Sequence, residues 1–225
     1  MNSMKKKISI ITINLNNKKG LEKSIKSVLA QTYQAYEFIV IDGASTDGSV
    51  DVIDSYKDYI TYSISEPDNG IYEAMNKGIK VATGEYCHFL NSGDMLASAS
   101  TLEDVLSRDI HVCFIFGNFY YNEKSENTKF EIYKNRDWSF SIYDIFADGL
   151  CHQAFFIKRD MFEKYGLYDE NLRIASDFKL FYIAIGIHWE KVRYIDSDIV
   201  IYDTHGFSSG IGGDAILNEK QIVAK

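Results

Sequence analysis

Apolar and polar positions alternate in blocks along the first half of the chain. Ile8 to Ile13 is a nearly continuous β-branched run, the mark of a strand covered on both faces. Asn14 to Asn17 is a polar turn, and Leu21, Ile25, Val28 and Leu29 then recur with helical spacing. Tyr36 to Ile41 predicts a second buried strand, followed by the loop Asp42 to Gly48. Asp47 or Ser49 can cap the next helix, with Val50, Ile53 and Tyr56 turned inward. Ile60 to Ile64 alternates as a third strand, and Glu85 to Leu90 is a fourth.

Between the last two strands lies Ser65 to Ile79. It turns at Pro67, the only proline. Asp68 or Asn69 can cap a helix whose inward face is Ile71, Ala74, Met75, Gly78 and Ile79. Polar groups are thereby set between a strand's carboxyl end and a helix's amino end, where open α/β sheets bind phosphorylated ligands. The acidic turn Asn91-Ser-Gly-Asp94 follows the fourth strand. Together the two stretches point to a site for a nucleoside diphosphate and a metal. An ordinary turn and cap would use the same residues.

Strand–helix alternation from residue 8 to about 107 predicts an α/β fold with a mostly parallel sheet and right-handed crossovers. Polar loops at the strands' carboxyl ends, beginning at Asn14, Asp42, Glu66 and Asn91, should share one sheet edge. The second half is less regular. Val112 to Tyr120 predicts a strand, and Lys129 to Tyr133 a hairpin partner. Asn135 to Gly149 predicts an aromatic loop carrying Trp138, Phe140, Tyr143 and Phe146. Gln153 to Ile157 predicts a short strand, Lys158 to Tyr165 a short helix, Asp177 to Ile187 an apolar helix, and Val192 to Tyr202 one or two closing strands. From Gly206 the chain is glycine-rich, then polar. No linker interrupts it, so residues 1–225 form one domain with a nucleotide-side half (8–107) and an acceptor-side half (108–225).

An apolar share of 46% over 225 residues supplies a full core. The net charge of −8 argues against a nucleic-acid binder, which shows a basic face. Lys5 to Lys7 is too short a basic run to change that, although it can touch an anionic membrane surface peripherally. Cys87, Cys113 and Cys151 are far apart and odd in number, which fits reduced cytosol rather than a disulfide framework or zinc knuckle. No signal peptide or apolar run of about 20 residues is present.

Five segments in order resemble an inverting family 2 glycosyltransferase with the GT-A fold, of the subgroup that builds bacterial capsular or extracellular polysaccharide. They are Ile10-Ile-Thr-Ile-Asn14, Ile39 to Ser49, the Pro67 segment, Phe89-Leu-Asn-Ser-Gly-Asp94, and Tyr168-Asp-Glu to Ala175-Ser-Asp-Phe178. The resemblance spans about residues 8 to 185. It implies transfer of a sugar from a nucleoside-diphosphate donor, UDP-sugars first, to a hydroxyl of a glycan or lipid-linked glycan acceptor at the cytoplasmic membrane face.

Under that resemblance Asp94 is the metal ligand, because carboxylate-held Mn²⁺ or Mg²⁺ neutralises the leaving diphosphate. Asn91 stands where relatives often carry a first acid and contacts the ribose or the metal. A helix cap before Leu96 would also explain Asp94. Thr12, Asn14, Asp42, Asp68 and Asn76 are implied around the nucleotide, and Gly43 stands where a second acid is common. Lys77 faces either the diphosphate or solvent. Asp177 is implied as the general base that in-line inversion requires. A helix-start acid interacting with the macrodipole is the alternative. His152 and Gln153 resemble a pair facing the acceptor cleft, and His205 is a candidate late metal ligand.

Two other enzyme classes fit poorly. Asn14 to Gly20 lacks the Gly-x-Gly-x-x-Gly of a dinucleotide fold and the glycine-rich basic loop of a nucleotidyltransferase. A catalytically silent nucleotide-sugar-binding module remains, supported by Asn91 and Ser176 standing where acids are expected.

Overall fold

The computed structural model describes residues 7–108, 110–121, 151–204 and 213–224. The expected hairpin partner at 129–133, the aromatic loop at 135–149, Lys5, Lys6 and His205 lie outside the described residues. The strands are β1 (Ile8–Asn14), β2 (Tyr36–Asp42), β3 (Tyr62–Ser65), β4 (Tyr86–Phe89), β5 (Met95–Leu96), β6 (Phe114–Tyr121), β7 (Phe155–Lys158) and β8 (Val192–Tyr202). The helices are α1 (Lys18–Leu29), α2 (Ser49–Ser55), α3 (Ile71–Val81), α4 (Thr101–Leu106), α5 (Asp160–Tyr165), α6 (Ser176–Phe181) and α7 (Gly213–Val223).

The strands form one sheet in the order β3-β2-β1-β4-β7-β6-β8-β5. The β2–β3, β1–β2, β1–β4 and β6–β8 pairs are parallel, while β7 runs antiparallel to both β4 and β6, and β5 to β8. The mostly parallel sheet is therefore present, with the later strands added as a mixed wing. In β1, Asn14 is level with Asp42 of β2, and Asp42 is level with Ser65 of β3. That register aligns the carboxyl-end polar residues in one row.

The sheet is covered on both faces, as the β1 and β2 patterns require. Ile11, Ile13, Ile39 and Ile41 pack under α3 with Met75 and Ile79, together with Phe178, Phe181 and Ala184. Ile8, Ile10, Phe38 and Val40 pack on the other face with Leu21, Ile25 and Val28 of α1 and Val52 and Ile53 of α2. Gly78 lets α3 approach the sheet closely, because a Cβ there would lie 2.5 Å from Ile11 Cγ2.

Several expectations are corrected. α2 buries Val52 rather than Val50, and its cap is Gly48 at φ +90° with no side-chain bond. Asp47 instead accepts from the Ser49 amide and hydroxyl and from the Lys18 amide, tying α1 to the loop. α3 is capped by Gly70 at φ +146°, not by Asp68 or Asn69. Asp68 accepts from the Gly70 amide, and Glu73 reaches back to the Asn69 amide. The stretch read as a strand from Gln153 opens with a 3₁₀ turn, His152–Ala154, before β7 begins. The helix expected over 177–187 is α-helical only to Phe181. It widens into a π turn over Tyr182–Ile187, where the His188 amide donates to the Ile183 carbonyl. The polar end contains α7, whose apolar periodicity is too weak to signal a helix.

Candidate functional site

The polar residues at the carboxyl edge of the sheet fall into two connected groups. The first is centred on Asp42, which is fully buried. Its Oδ1 accepts from Asn14 Nδ2 (2.7 Å) and Ser45 Oγ (2.6 Å). Its Oδ2 accepts from the Ser45 amide (2.9 Å) and Ser65 Oγ (2.6 Å). Burial alone would raise this carboxyl. The bonds from Ser45, Ser65 and Asn14 outweigh it and hold the group below its ordinary range. Ala44 adopts φ +61°, an uncommon conformation for a residue with a Cβ, within the bend that brings Ser45 back onto Asp42.

Asp68 comes from the loop before α3. A Cβ at Gly43 would lie 2.7 Å from Asp68 Oδ2, so the missing side chain at 43 makes room for the Asp68 carboxylate. Partial burial raises Asp68, against the Gly70 amide and Lys77, and the charges of Glu73 and Asp42 add to the rise. Asn14 leaves its Oδ1 buried and unpartnered. Sequence reasoning left Ser65 without a role. Only the β2–β3 register brings it onto Asp42.

Two residues expected around the nucleotide are engaged elsewhere. Thr12 is buried, and its hydroxyl donates to the Leu90 carbonyl (2.7 Å), joining β1 to the end of β4. Asn76 is also buried. Its Nδ2 donates to the Tyr168 carbonyl and Glu170 Oε1, and its Oδ1 accepts from the Tyr168 amide. Both side chains brace the site rather than face it. Lys77 ion-pairs with Glu66 (3.0 Å) and Glu73 (3.3 Å) and donates to the Pro67 carbonyl, which closes the α3 entry loop.

The second group contains Asp94, Asp177, His152 and Gln153. Asp94 is buried, and its Oδ1 accepts from the Asp203 amide (2.8 Å) at the end of β8. Desolvation pushes its carboxyl up to about 7 against that amide, the His152 charge and a bond from Gln153, while the Asp203 charge adds to the rise. The acidic turn is held from α1. Ser24 Oγ donates to the Asp94 carbonyl (2.7 Å) and accepts from the Gly93 amide (3.0 Å), while Asn17 donates to the Ser92 carbonyl. Gly93 has φ +107°, and a Cβ there would lie 2.5 Å from Asp203 Oδ2. The Asp203 carboxylate therefore sits against the acidic turn, and Asn91 Oδ1 is buried there without a partner.

Asp94, Asp203 and Asn91 offer hard oxygen donors of the kind Mg²⁺ or Mn²⁺ takes. Among the described residues no cluster of three His, Cys, Asp or Glu side chains stands ready to hold an ion. The donor set fits a cation completed by oxygens from outside the chain, such as those of a diphosphate.

Asp177 lies in the first turn of α6. Its Oδ2 accepts from His152 Nδ1 (2.9 Å), and its Oδ1 accepts from Tyr72 OH (3.1 Å) and the Phe178 amide (2.8 Å). Burial would raise it. The bond and charge of His152 come next, with the Phe178 amide and Tyr72, and they hold it below its ordinary range. Burial first, and the Asp177 charge second, push the Tyr72 phenol far up, so it is a permanent donor at neutral pH. Tyr72 sits in α3, 105 residues from Asp177, and nothing in the sequence signals their contact.

The 3₁₀ turn carries His152 onto Asp177, and its neighbour Gln153 acts to lower the Asp94 carboxyl. The hydrogen bond from the Ala154 amide to the Cys151 carbonyl forms that turn. A straight strand from Gln153 would have sent successive side chains to opposite faces of the sheet. The arrangement can hold a cation, and through it an anionic leaving group, at one acid and manage a proton at the other.

Residues 9–166 match the family model Glycosyl transferase family 2. An uncharacterized glycosyltransferase of Mycobacterium tuberculosis is 46% identical over 88 residues, 39% of this chain and 34% of that protein. The PGL/p-HBAD biosynthesis glycosyltransferase of Mycobacterium bovis is 28% identical over 180 residues, 76% of this chain and 66% of that protein. The chain thus spans between a third and two thirds of the length of these curated relatives.

Among solved structures, S. aureus TarS 1–349 in complex with UDP-GlcNAc superposes with a TM-score of 0.77 at 17% identity, over 97% of this chain and 65% of that one. The mannosyltransferase PcManGT from Pyrobaculum calidifontis, in complex with GDP-Man and Mn²⁺, gives 0.66 at 16% identity, over 88% and 57%. Those two likenesses show a shared fold. The family match covers 158 of the 225 residues and includes the β1, Asp42, Asp68 and Asp94 loops, so this chain belongs to glycosyl transferase family 2.

Proposed function

We propose that the protein transfers a sugar, with inversion, from a UDP-sugar to a hydroxyl of a glycan acceptor, a lipid-linked oligosaccharide in polysaccharide biosynthesis. The observation that carries this reading is the hydrogen bond from His152 to Asp177 at the 3₁₀ turn, beside the buried Asp94 carboxyl held by the Asp203 amide. Inverting transfer needs a leaving-group site and a proton acceptor on opposite sides of one anomeric carbon. Asp94 with Asp203 and Asn91 supplies the first, and the Asp177–His152 pair the second. Asp42 and Asp68, side by side at Gly43, receive the nucleoside. A divalent cation held by Asp94, when bound, stabilises the charge that develops on the diphosphate.

The choice of UDP is supported by the likeness to a protein solved with UDP-GlcNAc. No helix among the described residues is long and apolar enough to cross a membrane.

Calorimetric titration with UDP, GDP and dTDP, each with and without Mn²⁺, tests the donor site. UDP should bind at least tenfold tighter with Mn²⁺ than without. Asp94→Asn should abolish that difference while leaving the metal-free affinity in place. A folded sample that binds no nucleotide refutes the reading. Binding of UDP with no sugar transfer to any acceptor would mark a silent binding module instead.

A further inference from the structure

α7 is held to the body in an unusual way. None of its residues is fully buried, so apolar burial explains little of its position. Glu219 fixes it instead. The two carboxylate oxygens accept from the amides of Arg173 (2.9 Å), Ile174 (2.8 Å) and Ala175 (3.0 Å), the residues that lead into α6 and Asp177. The next residue, Lys220, is thereby carried over α6. Its Nζ lies 5.0 Å from the centre of the Phe178 ring, and Phe178 follows Asp177 in sequence. The Asp177 charge acts on this ammonium.

Lys220 has no counter-ion. Among the described residues it makes no hydrogen bond or ion pair, whereas Lys179 of α6 is paired with Asp169 (2.6 Å). Asp177 is not the missing partner, because Tyr72, His152 and the Phe178 amide already donate to it. The side chain is partly buried, yet Nζ keeps contact with solvent, so a ligand can reach it. Holding a cation there without a partner costs free energy that the face of Phe178 offsets only in part.

We propose that Lys220 binds an anionic group of the acceptor, a phosphate or a carboxylate, beside the sugar whose hydroxyl reacts. This rests on the transferase reading above, in which that hydroxyl meets the Asp177–His152 pair. An acceptor seated at the pair lies next to Phe178, where Lys220 stands. The chain's net charge of −8 repels an anionic acceptor at a distance, so a cation fixed at the site is what lets it dock. Lysine suits the task, as a compact point charge with three rotatable donors for phosphate or carboxylate oxygens. The diphosphate of a lipid-linked acceptor would supply the first anion, and a uronic acid within the glycan the second. Glu219 is the positioning residue behind Lys220, since its three amide bonds set where α7 lies.

The test uses the full chain in EDTA, so that no divalent cation draws a diphosphate to Asp94. Geranyl diphosphate is compared with geraniol, and methyl β-glucuronide with methyl β-glucoside, through NMR shifts of the Phe178 amide and Lys220 Nζ. One anion should bind at least about fivefold tighter than its neutral counterpart and should shift Lys220 Nζ. A preference for the diphosphate identifies the phosphate source, and one for the glucuronide the carboxylate. Lys220→Met keeps an apolar stem on Phe178 and should erase the preference, while Lys220→Arg should keep it. A wild type that prefers neither anion overturns the proposal, and so does a preference that survives in Lys220→Met.

UDP affinity in Mn²⁺ should be the same in wild type and Lys220→Met. A loss of about tenfold or more would assign the ammonium to the donor and overturn the proposal. A folded wild type that binds no nucleotide refutes the donor reading alone, because the anion comparison uses no nucleotide and still decides this one.

Discussion

Glu37 allows a quantitative test of how the sheet is held at the end away from the site. It is the second residue of β2, and its side chain is only 6% exposed. Oε1 accepts from Ser9 Oγ (2.6 Å) and from the Thr83 and Gly84 amides. Oε2 accepts from Thr83 Oγ1 (2.7 Å) and ion-pairs with Lys7 (2.7 Å). Burial works to raise its carboxyl, but Lys7, Ser9 and Thr83 override burial and bring it down to about 2 from an ordinary 4.5. That depression corresponds to about 3 kcal/mol of stability.

Because the folded value is the depressed one, this contribution is complete above pH 4.5 and is lost as pH falls from 4.5 towards 2. At pH 3 linkage leaves roughly 1.4 kcal/mol of it. Glu37→Gln removes the charge and turns an amide N–H₂ towards Lys7 or the two amides. Urea unfolding at pH 7 should therefore show a loss of about 3 kcal/mol, and the gap to wild type should shrink by more than half at pH 3. UDP affinity of the folded variant should be unchanged, since Asp42 lies at the other end of the same strand. A gap under about 1 kcal/mol at pH 7, or one that does not narrow on acidification, would refute this account of Glu37.

Two further perturbations probe the packing that positions the site. Gly78→Ala places a Cβ 2.5 Å from Ile11 Cγ2, so the α3–β1 contact must open. The overpacking cost of about 1–3 kcal/mol exceeds the helix-propensity gain of about 1 kcal/mol, and thermal unfolding should come several degrees earlier, whereas an unchanged or higher midpoint would contradict the contact. Glu219 of α7 accepts from the amides of Arg173, Ile174 and Ala175, immediately before α6. Glu219→Ala should speed hydrogen exchange at those amides by tenfold or more and lower kcat through Asp177. Unchanged protection there would show that α7 does not brace this turn.

The first four strands, the α/β class and the carboxyl-edge loops were legible because both-face burial and helical spacing are local properties of the sequence. The β1 isoleucines could satisfy that pattern only inside a covered sheet. Asp42, Asp68 and Asp94 were legible as candidates for the same reason: each follows directly on a predicted strand or turn. Thr12 and Asn76 misled because their positions beside the site are local, but their partners are not. Leu90 lies 78 residues from Thr12, and Tyr168 lies 92 from Asn76. Asp203, Tyr72, Ser24 and Glu219 carried no sequence signal, since each acts through a contact made by a distant element.

The sequence by itself thus determined the alternation of strands and helices and the chemical inventory of the loops, because burial and propensity act over a few residues. The tertiary structure alone decided which of those groups face one another. Strand register put Ser65 on Asp42, and the bend at Cys151–Ala154 put His152 on Asp177 and Gln153 beside Asp94. Hydrogen bonds between residues far apart in the chain exist only once the sheet has closed. The site's electrostatics depend on those bonds and on the burial around them.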